Sequence, residues 1–175
     1  ETLERPVLMI ATDKDKTKYI KYIEKMVRGS YEYKEYIKYL TDICEMNFCS
    51  VFENLSKELI KKLKLEIHHE PFTLFDVVNV VLRRFMNEER EINEYDISSE
   101  VLQLHFRGMI GLIPLSYTVH QLVHVGKVFI PLQFLDEGFM NFYNEYKREV
   151  NECYLEAVLL KKLELSKTFN FKSNS

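Results

Sequence analysis

Tryptophan is absent from this chain of 175 residues, and cysteine, proline and glycine are scarce, with three, four and five copies. Cys44, Cys49 and Cys153 are odd in number and form no Cys-x-x-Cys pair, which argues against a disulfide scaffold and a cysteine zinc knuckle. A reduced, cytoplasmic setting is therefore expected. Few glycines and prolines leave few forced breaks, so long helices are expected.

An excess of positive charge and a long apolar run are also missing. Lys and Arg number 24 against 27 Asp and Glu, for a net charge of −3, so a broad basic surface for nucleic acid is not expected. No apolar stretch approaches the roughly 18 residues of a membrane span, so no membrane partner is expected. The 46% hydrophobic fraction is typical of an ordinary globular protein.

Periodicity predicts an α+β fold. Residues 62–68 alternate as in a half-buried strand, and Thr73 can cap a helix from Leu74 to about Glu89. Residues 111–115 predict a second short strand, followed by a short helix over residues 118–125. Apolar residues recur at helical spacing from Phe139 to Ala157, which predicts one long C-terminal helix.

These elements predict one domain over residues 1–175. Residues 1–60 form a helical region, and residues 61–130 contain the two strands and the short helix, with a helical insert at 70–110. Residues 131–175 form the long helix and a tail. The apolar stripe of that helix is either core packing or a surface for an oligomer or a protein partner.

Four of the five histidines fall into two tight pairs. His68 and His69 lie at the end of the first strand, and the i,i+4 spacing of His120 and His124 puts both on one face of a helix. Two ligands from a helix and one from a strand would make a metal site with an open position. Purely structural histidines remain the alternative, and His105 is expected to be an ordinary core or surface residue.

Several other charged or polar residues allow two interpretations. Glu66, Glu70 and Asp76 lie near the first pair as extra ligands, groups that orient the ligands, or solvated charges. Three arginines either hold phosphates or are ordinary surface residues: Arg83, Arg84 and Arg107. A zinc-protease motif is disfavoured, because Gln121 occupies the position of the required glutamate and an amide cannot act as a general base.

Two segments resemble the halves of the HNH (His-Me finger, ββα-metal) endonuclease motif. They are LEIHHEP at residues 65–71 and GLIPLSYTVHQLVHVGK at residues 111–127. The resemblance implies a ββα-metal core with flanking helices, in which His68, His120 and His124 bind a divalent ion (Mg²⁺, Mn²⁺, Ni²⁺ or Zn²⁺). It implies His69 as the general base that activates water for hydrolysis of DNA phosphodiester bonds. A phage-encoded protein acting in an infected cell fits this resemblance.

The sequence departs from the family pattern at two places. The middle asparagine of the motif falls on Gly111, which has no side chain to orient a base, and residues 70–110 exceed the usual finger loop. A non-catalytic protein on the same scaffold, acting as a protein-binding or assembly factor, is the alternative function.

Overall fold

The computed structural model describes residues 10, 12–46, 57–60, 62 and 64–168, which form mainly helices. The elements in chain order are α1 (Asp13–Gly29), α2 (Tyr31–Asp42), α3 (Lys57–Ile60), β1 (Leu65–His69), α4 (Leu74–Asn87), α5 (Glu94–Phe106), β2 (Leu112–Ser116), α6 (Tyr117–His124), a 3₁₀ turn (Leu132–Phe134), α7 (Gly138–Glu145), α8 (Lys147–Glu152) and α9 (Glu156–Thr168). The general α+β expectation is consistent with this architecture. Cys49 and most of the predicted tail lie outside the described residues.

Strands β1 and β2 pair antiparallel, with Leu65 opposite Ser116 and His69 opposite Leu112. The pairing runs through Pro114, which lies opposite Ile67. In the described part of the chain the sheet has only these two strands, so each is an edge strand, where proline is tolerated. The strand pairing places the C-terminal end of β2, and hence α6, beside the start of β1.

Helix α4 lies at the centre of the core and contacts α1, α5 and α8. Thr73 begins it with a capping box, because the Thr73 hydroxyl accepts from Asp76 N–H while the Asp76 carboxylate accepts from Thr73 N–H. Seven side chains of α4 are buried: Leu74, Val77, Val78, Val80, Val81, Leu82 and Phe85. Burial of each contributes about 1.5–3 kcal/mol, so this wide apolar face holds α4 in the core.

The C-terminal segment forms three successive helices where one long helix was expected. Helix α7 ends at Glu145 with Tyr146 as its C-cap, and after α8 the backbone of Tyr154 takes the left-handed conformation with φ of 60°. Apolar side chains enter the core on both sides of these breaks, namely Phe139, Phe142, Tyr146, Val150, Leu155 and Leu159. Ala157, the last residue of the predicted stripe, is exposed. Among the described residues, no helix has the length and apolar character needed to cross a membrane.

Candidate metal centre

The strand β1 presents its two histidines to opposite sides. The His68 ring lies against the rings of His120 and His124, whereas the His69 ring lies against His105 of α5. This follows from the pleat, in which successive side chains of a strand alternate between faces. Only three of the four predicted site residues therefore come together.

Helix α6 follows β2 without a connecting loop. Ser116, the last residue of β2, caps the helix by accepting a hydrogen bond from Val119 N–H, and Tyr117 N–H donates to the Lys64 carbonyl beside β1. One turn later, His120 and His124 project from the same face of the helix. Because β2 is paired with β1, this face lies over His68.

The ring nitrogens of His68, His120 and His124 converge. One nitrogen from each ring can be chosen so that all three lie within 4.8 Å of one another. The Nε2 atoms of His120 and His124 are 2.9 Å apart. His68 is buried, His120 is half-buried and His124 is exposed, so the cluster lies at the surface and solvent can reach it. We call these three residues the histidine cluster.

Two carboxylates orient the histidine cluster. His120 Nδ1 lies 2.5 Å from a Glu66 oxygen, and His68 Nε2 lies 3.1 Å from a Glu70 oxygen. Since a carboxylate only accepts, these two nitrogens carry the protons, and a neutral ring keeps its lone pair on the other nitrogen. The lone pairs of His120 and His68 are therefore on Nε2 and Nδ1.

Both carboxylates have a lowered pKa. The hydrogen bond from His120 is the main cause for Glu66, although partial burial opposes it. Burial would raise the pKa of Glu70, but the hydrogen bond from His68 and the ion pair with Lys162 outweigh it. Lys162 of α9 also donates to the Pro71 carbonyl at 2.8 Å. Glu70 thus connects the histidine cluster to the C-terminal helix.

His69 and His105 form a separate buried pair. Their Nε2 atoms are 3.1 Å apart, and His105 Nδ1 lies 2.7 Å from the Val101 carbonyl. His105 Nδ1 must therefore donate, so neutral His105 accepts at Nε2 from His69. Burial is the main cause that lowers the pKa of both rings, that of His105 to about 4. His105 is a satisfied core residue, as expected, but His69 does not lie beside the cluster.

A family model for bacteriophage G278-like virion proteins matches residues 5–174 of the chain. The chain belongs to this family. The predicted membership of the HNH nuclease family is therefore wrong, and so are the nuclease and hydrolase functions and the general-base role that rested on it. The predicted phage origin is confirmed, and the non-catalytic alternative agrees with a virion protein better than the nuclease does.

No curated protein and no solved structure matches this virion protein. A virion protein is part of the phage particle and is not necessarily intracellular, which modifies the cytoplasmic expectation. Such a protein can assemble with other proteins, whereas the family description offers no support for the predicted DNA contact.

Gly111 falls at the asparagine position of the nuclease motif, and in this virion protein the glycine is there for a structural reason. A Cβ atom built on Gly111 would lie 1.9 Å from the carbonyl oxygen of Glu70, far inside normal contact. The Glu70 N–H in turn donates to the Gly111 carbonyl at 3.0 Å. Gly111 thus permits the close approach of the two chain segments where the strands begin to pair, and any side chain would obstruct it.

In this virion protein, the arginines considered for phosphate binding form ion pairs with carboxylates. Arg83 pairs with Glu152 at 2.7 Å, and Arg84 pairs with Glu149 at 3.0 Å. The more exposed Arg107 pairs with Glu145 at 3.2 Å. Arg83 and Arg84 thus attach α4 to α8, and their role in the structure is to join these helices.

Sequence reasoning missed one member of the site. Lys162 lies 92 positions after Glu70, and no local pattern indicates their contact. Asp76, for which the sequence left the same three interpretations open as for Glu66 and Glu70, forms the capping box of α4 with Thr73. Glu66 and Glu70 were left open between ligands, orienting groups and solvated charges, and the structure places them as groups that orient the histidines.

Proposed function

We propose that this protein is a non-catalytic structural component of the phage particle that acts by binding a neighbouring virion protein. The observation that carries the proposal is the family match over nearly the whole chain. On this proposal, the two strands and α6 serve as a ββα scaffold without nuclease activity. The chain acts as one domain, since its main core cluster takes residues from α1 through to α9.

The surface that best fits a protein partner is a groove between the α1–α2 junction and α5. We call it the aromatic groove; it has a volume of about 330 Å³, and its lining includes Met26, Ser30, Tyr95, Leu102 and Phe106. Tyr95 is 72% exposed and Phe106 is 44% exposed. The lining is mixed, since Glu32, Ser98 and Gln103 also contribute to it. Exposed aromatic side chains beside a concave surface with polar groups around them are typical of protein interfaces.

The C-terminal stripe is less suited to this role than its sequence suggested. Phe139, Phe142, Tyr146 and Val150 of the predicted docking surface are buried in the core. The exposed apolar residues in the described part of this segment are others: Tyr154, Val158, Leu160 and Leu165. We therefore place the contact in the aromatic groove, with an apolar side chain of the neighbouring virion protein as the inserted group.

The test compares incorporation into purified particles. Phage carrying the double variant Tyr95→Ser and Phe106→Ser is expected to contain several-fold less of the protein than wild type, measured by quantitative mass spectrometry. Tyr154→Asn is the matched control, because Tyr154 is 88% exposed and lies outside the groove. Asparagine tolerates the left-handed backbone at this position.

Two results would contradict the proposal. Absence of the protein from purified wild-type particles would refute the virion role itself. Normal incorporation of the double variant, with a melting temperature equal to that of wild type, would refute the groove as the contact surface. Light scattering of the isolated protein distinguishes a second copy from a different partner, since a groove-dependent dimer would indicate self-association.

A further inference from the structure

We propose that the histidine cluster of His68, His120 and His124 binds one zinc-class divalent ion. This inference does not depend on the proposed contact with another virion protein. The ion would join β1 to α6, which are held together elsewhere by strand pairing and helix packing. We infer a structural role in which the ion fixes α6 and, through Glu70, the position of α9.

The first argument is the spacing of the donor atoms. Zinc is bound by histidine at about 2.0–2.1 Å, so two nitrogens of a tetrahedral site lie about 3.4 Å apart. The Nε2 atoms of His120 and His124 are 2.9 Å apart, and one nitrogen from each of the three rings lies within 4.8 Å of the others. Small rotations of exposed His124 and half-buried His120 bring all three within reach of one ion.

The second argument is that two carboxylates already set the tautomers of His120 and His68. Glu66 holds the proton of His120 on Nδ1, and Glu70 holds the proton of His68 on Nε2. A carboxylate behind a metal-binding histidine fixes its tautomer and raises its affinity for the ion. Two such carboxylates in one cluster are the pattern expected of a metal site, whereas a single surface histidine pair needs neither.

Without an ion, one hydrogen bond between the rings of His124 and His120 holds the cluster. His124 Nε2 would donate to His120 Nε2, while Nδ1 of His68 keeps its lone pair. A bound ion replaces that proton, the proton of His124 moves to Nδ1, and all three lone pairs are used. This exchange is the physical difference between a hydrogen-bonded cluster and a metal site.

The donor chemistry selects among the expected ions. Three neutral imidazoles suit Zn²⁺ and Ni²⁺, whereas Mg²⁺ and Mn²⁺ prefer carboxylate, carbonyl and water oxygens. Glu66 and Glu70 each accept a hydrogen bond from a histidine, so they act behind the ligands. Three protein ligands leave one tetrahedral position, which water fills in general. Zn²⁺ is therefore the ion that we propose.

The experiment uses the full chain without an affinity tag, treated with a chelator and titrated with Zn²⁺ in a calorimeter. Co²⁺ serves as the spectroscopic probe, because its tetrahedral complexes absorb strongly in the visible range. We expect one equivalent of either ion to bind, with a tetrahedral Co²⁺ spectrum and a rise in melting temperature. His124→Ala should weaken binding by more than about tenfold.

Gln121→Ala is the matched control, since Gln121 is exposed on the same helix. It should bind both ions as wild type does. Glu66→Gln should fold normally and weaken binding by roughly 10–100-fold, because the amide no longer holds the His120 proton as strongly. This effect on affinity separates orientation of a ligand from a merely structural contact.

Several results would overturn the proposal. One is the lack of saturable binding of one Zn²⁺ or Co²⁺ by the folded wild-type chain. Another is equal affinity in wild type and the double variant His120→Ala and His124→Ala, which would place the ion elsewhere. A Co²⁺ spectrum with only octahedral character would also count against a site of three imidazoles. Since His124 is exposed, its single variant is expected to remain folded.

Discussion

Replacement of Gly111 by alanine perturbs the closest backbone approach at the strand pair. The new Cβ would lie 1.9 Å from the oxygen and 3.0 Å from the carbon of the Glu70 carbonyl, with Phe139 Cβ at 3.4 Å. A normal non-bonded contact is about 3.5 Å, so the backbone of Glu70 must move by more than about 1 Å. Backbone is the obstacle, so a change of side-chain rotamer cannot relieve the clash.

The cost follows from two terms. Overpacking that shifts backbone costs about 1–3 kcal/mol, and the hydrogen bond from Glu70 N–H to the Gly111 carbonyl contributes about 1 kcal/mol. The expected loss in the free energy of unfolding is therefore about 2–4 kcal/mol. For a chain of this size 1 kcal/mol corresponds to roughly 2–4 °C, so the melting temperature should fall by roughly 4–16 °C.

Thermal and urea unfolding of matched variants measure this effect. Gly29→Ala is the control, because a Cβ at Gly29 meets nothing within 4 Å, and it should be neutral or stabilising by up to about 1 kcal/mol. Gly111→Asn, which installs the asparagine of the nuclease motif, carries the same Cβ and should be at least as destabilised as Gly111→Ala. Wild-type stability of Gly111→Ala would refute the close approach of the two segments.

Three further predictions concern charge and capping. Burial would raise the pKa of Glu149, but hydrogen bonds, chiefly from Arg84, outweigh it and lower the pKa. Its contribution to stability is therefore present above the unfolded pKa near 4.5 and is lost as pH falls through the folded value, and Glu149→Gln should cost about 1–3 kcal/mol at neutral pH. Burial lowers the pKa of His105 to about 4 from 6.5, so the unfolded chain binds the extra proton and stability rises with pH between those values. His105→Phe should remove that part of the pH slope in urea unfolding. Thr73→Ala removes the hydroxyl that accepts from Asp76 N–H and should lower stability by about 1 kcal/mol in the same assay.

Each of these three has its own contrary outcome. An acid-side stability profile unchanged by Glu149→Gln would mean that the ion pair with Arg84 does not form in solution. An identical slope between pH 4 and 6.5 in wild type and His105→Phe would mean that His105 titrates normally. Equal stability of Thr73→Ala and Thr41→Ala, where Thr41 caps no helix, would argue against the capping box.

Much of the secondary structure could be predicted because its signals are local. The capping box at Thr73 and the apolar spacing that follows define α4 within a few residues of its observed ends. The i,i+4 spacing of His120 and His124 likewise predicted that they share a helix face, and their Nε2 atoms lie 2.9 Å apart. Helix periodicity and caps act over one or two turns, so the sequence carries them directly.

The family assignment could not be obtained from a short motif. A strand ending in His68 and His69 and a helix with two histidines are features that many sequences can produce, since they need only a few residues. The match to virion proteins extends from residue 5 to residue 174. The break at Tyr154 was also missed, because Ala157 continues the helical spacing of the apolar residues in the sequence, whereas the observed chain buries Leu155 and Leu159 after the break.

The sequence by itself determined where α4 and α6 form and which histidines lie on one turn of α6, but not where α7, α8 and α9 begin and end. Only the tertiary structure decided that His68 and not His69 joins that turn, and that Lys162 reaches Glu70. The reason is the range of the forces: caps and helical spacing are properties of neighbouring residues, whereas strand register and packing depend on segments tens of residues apart. A shift of one residue in the register of β1 would exchange the two histidines between faces.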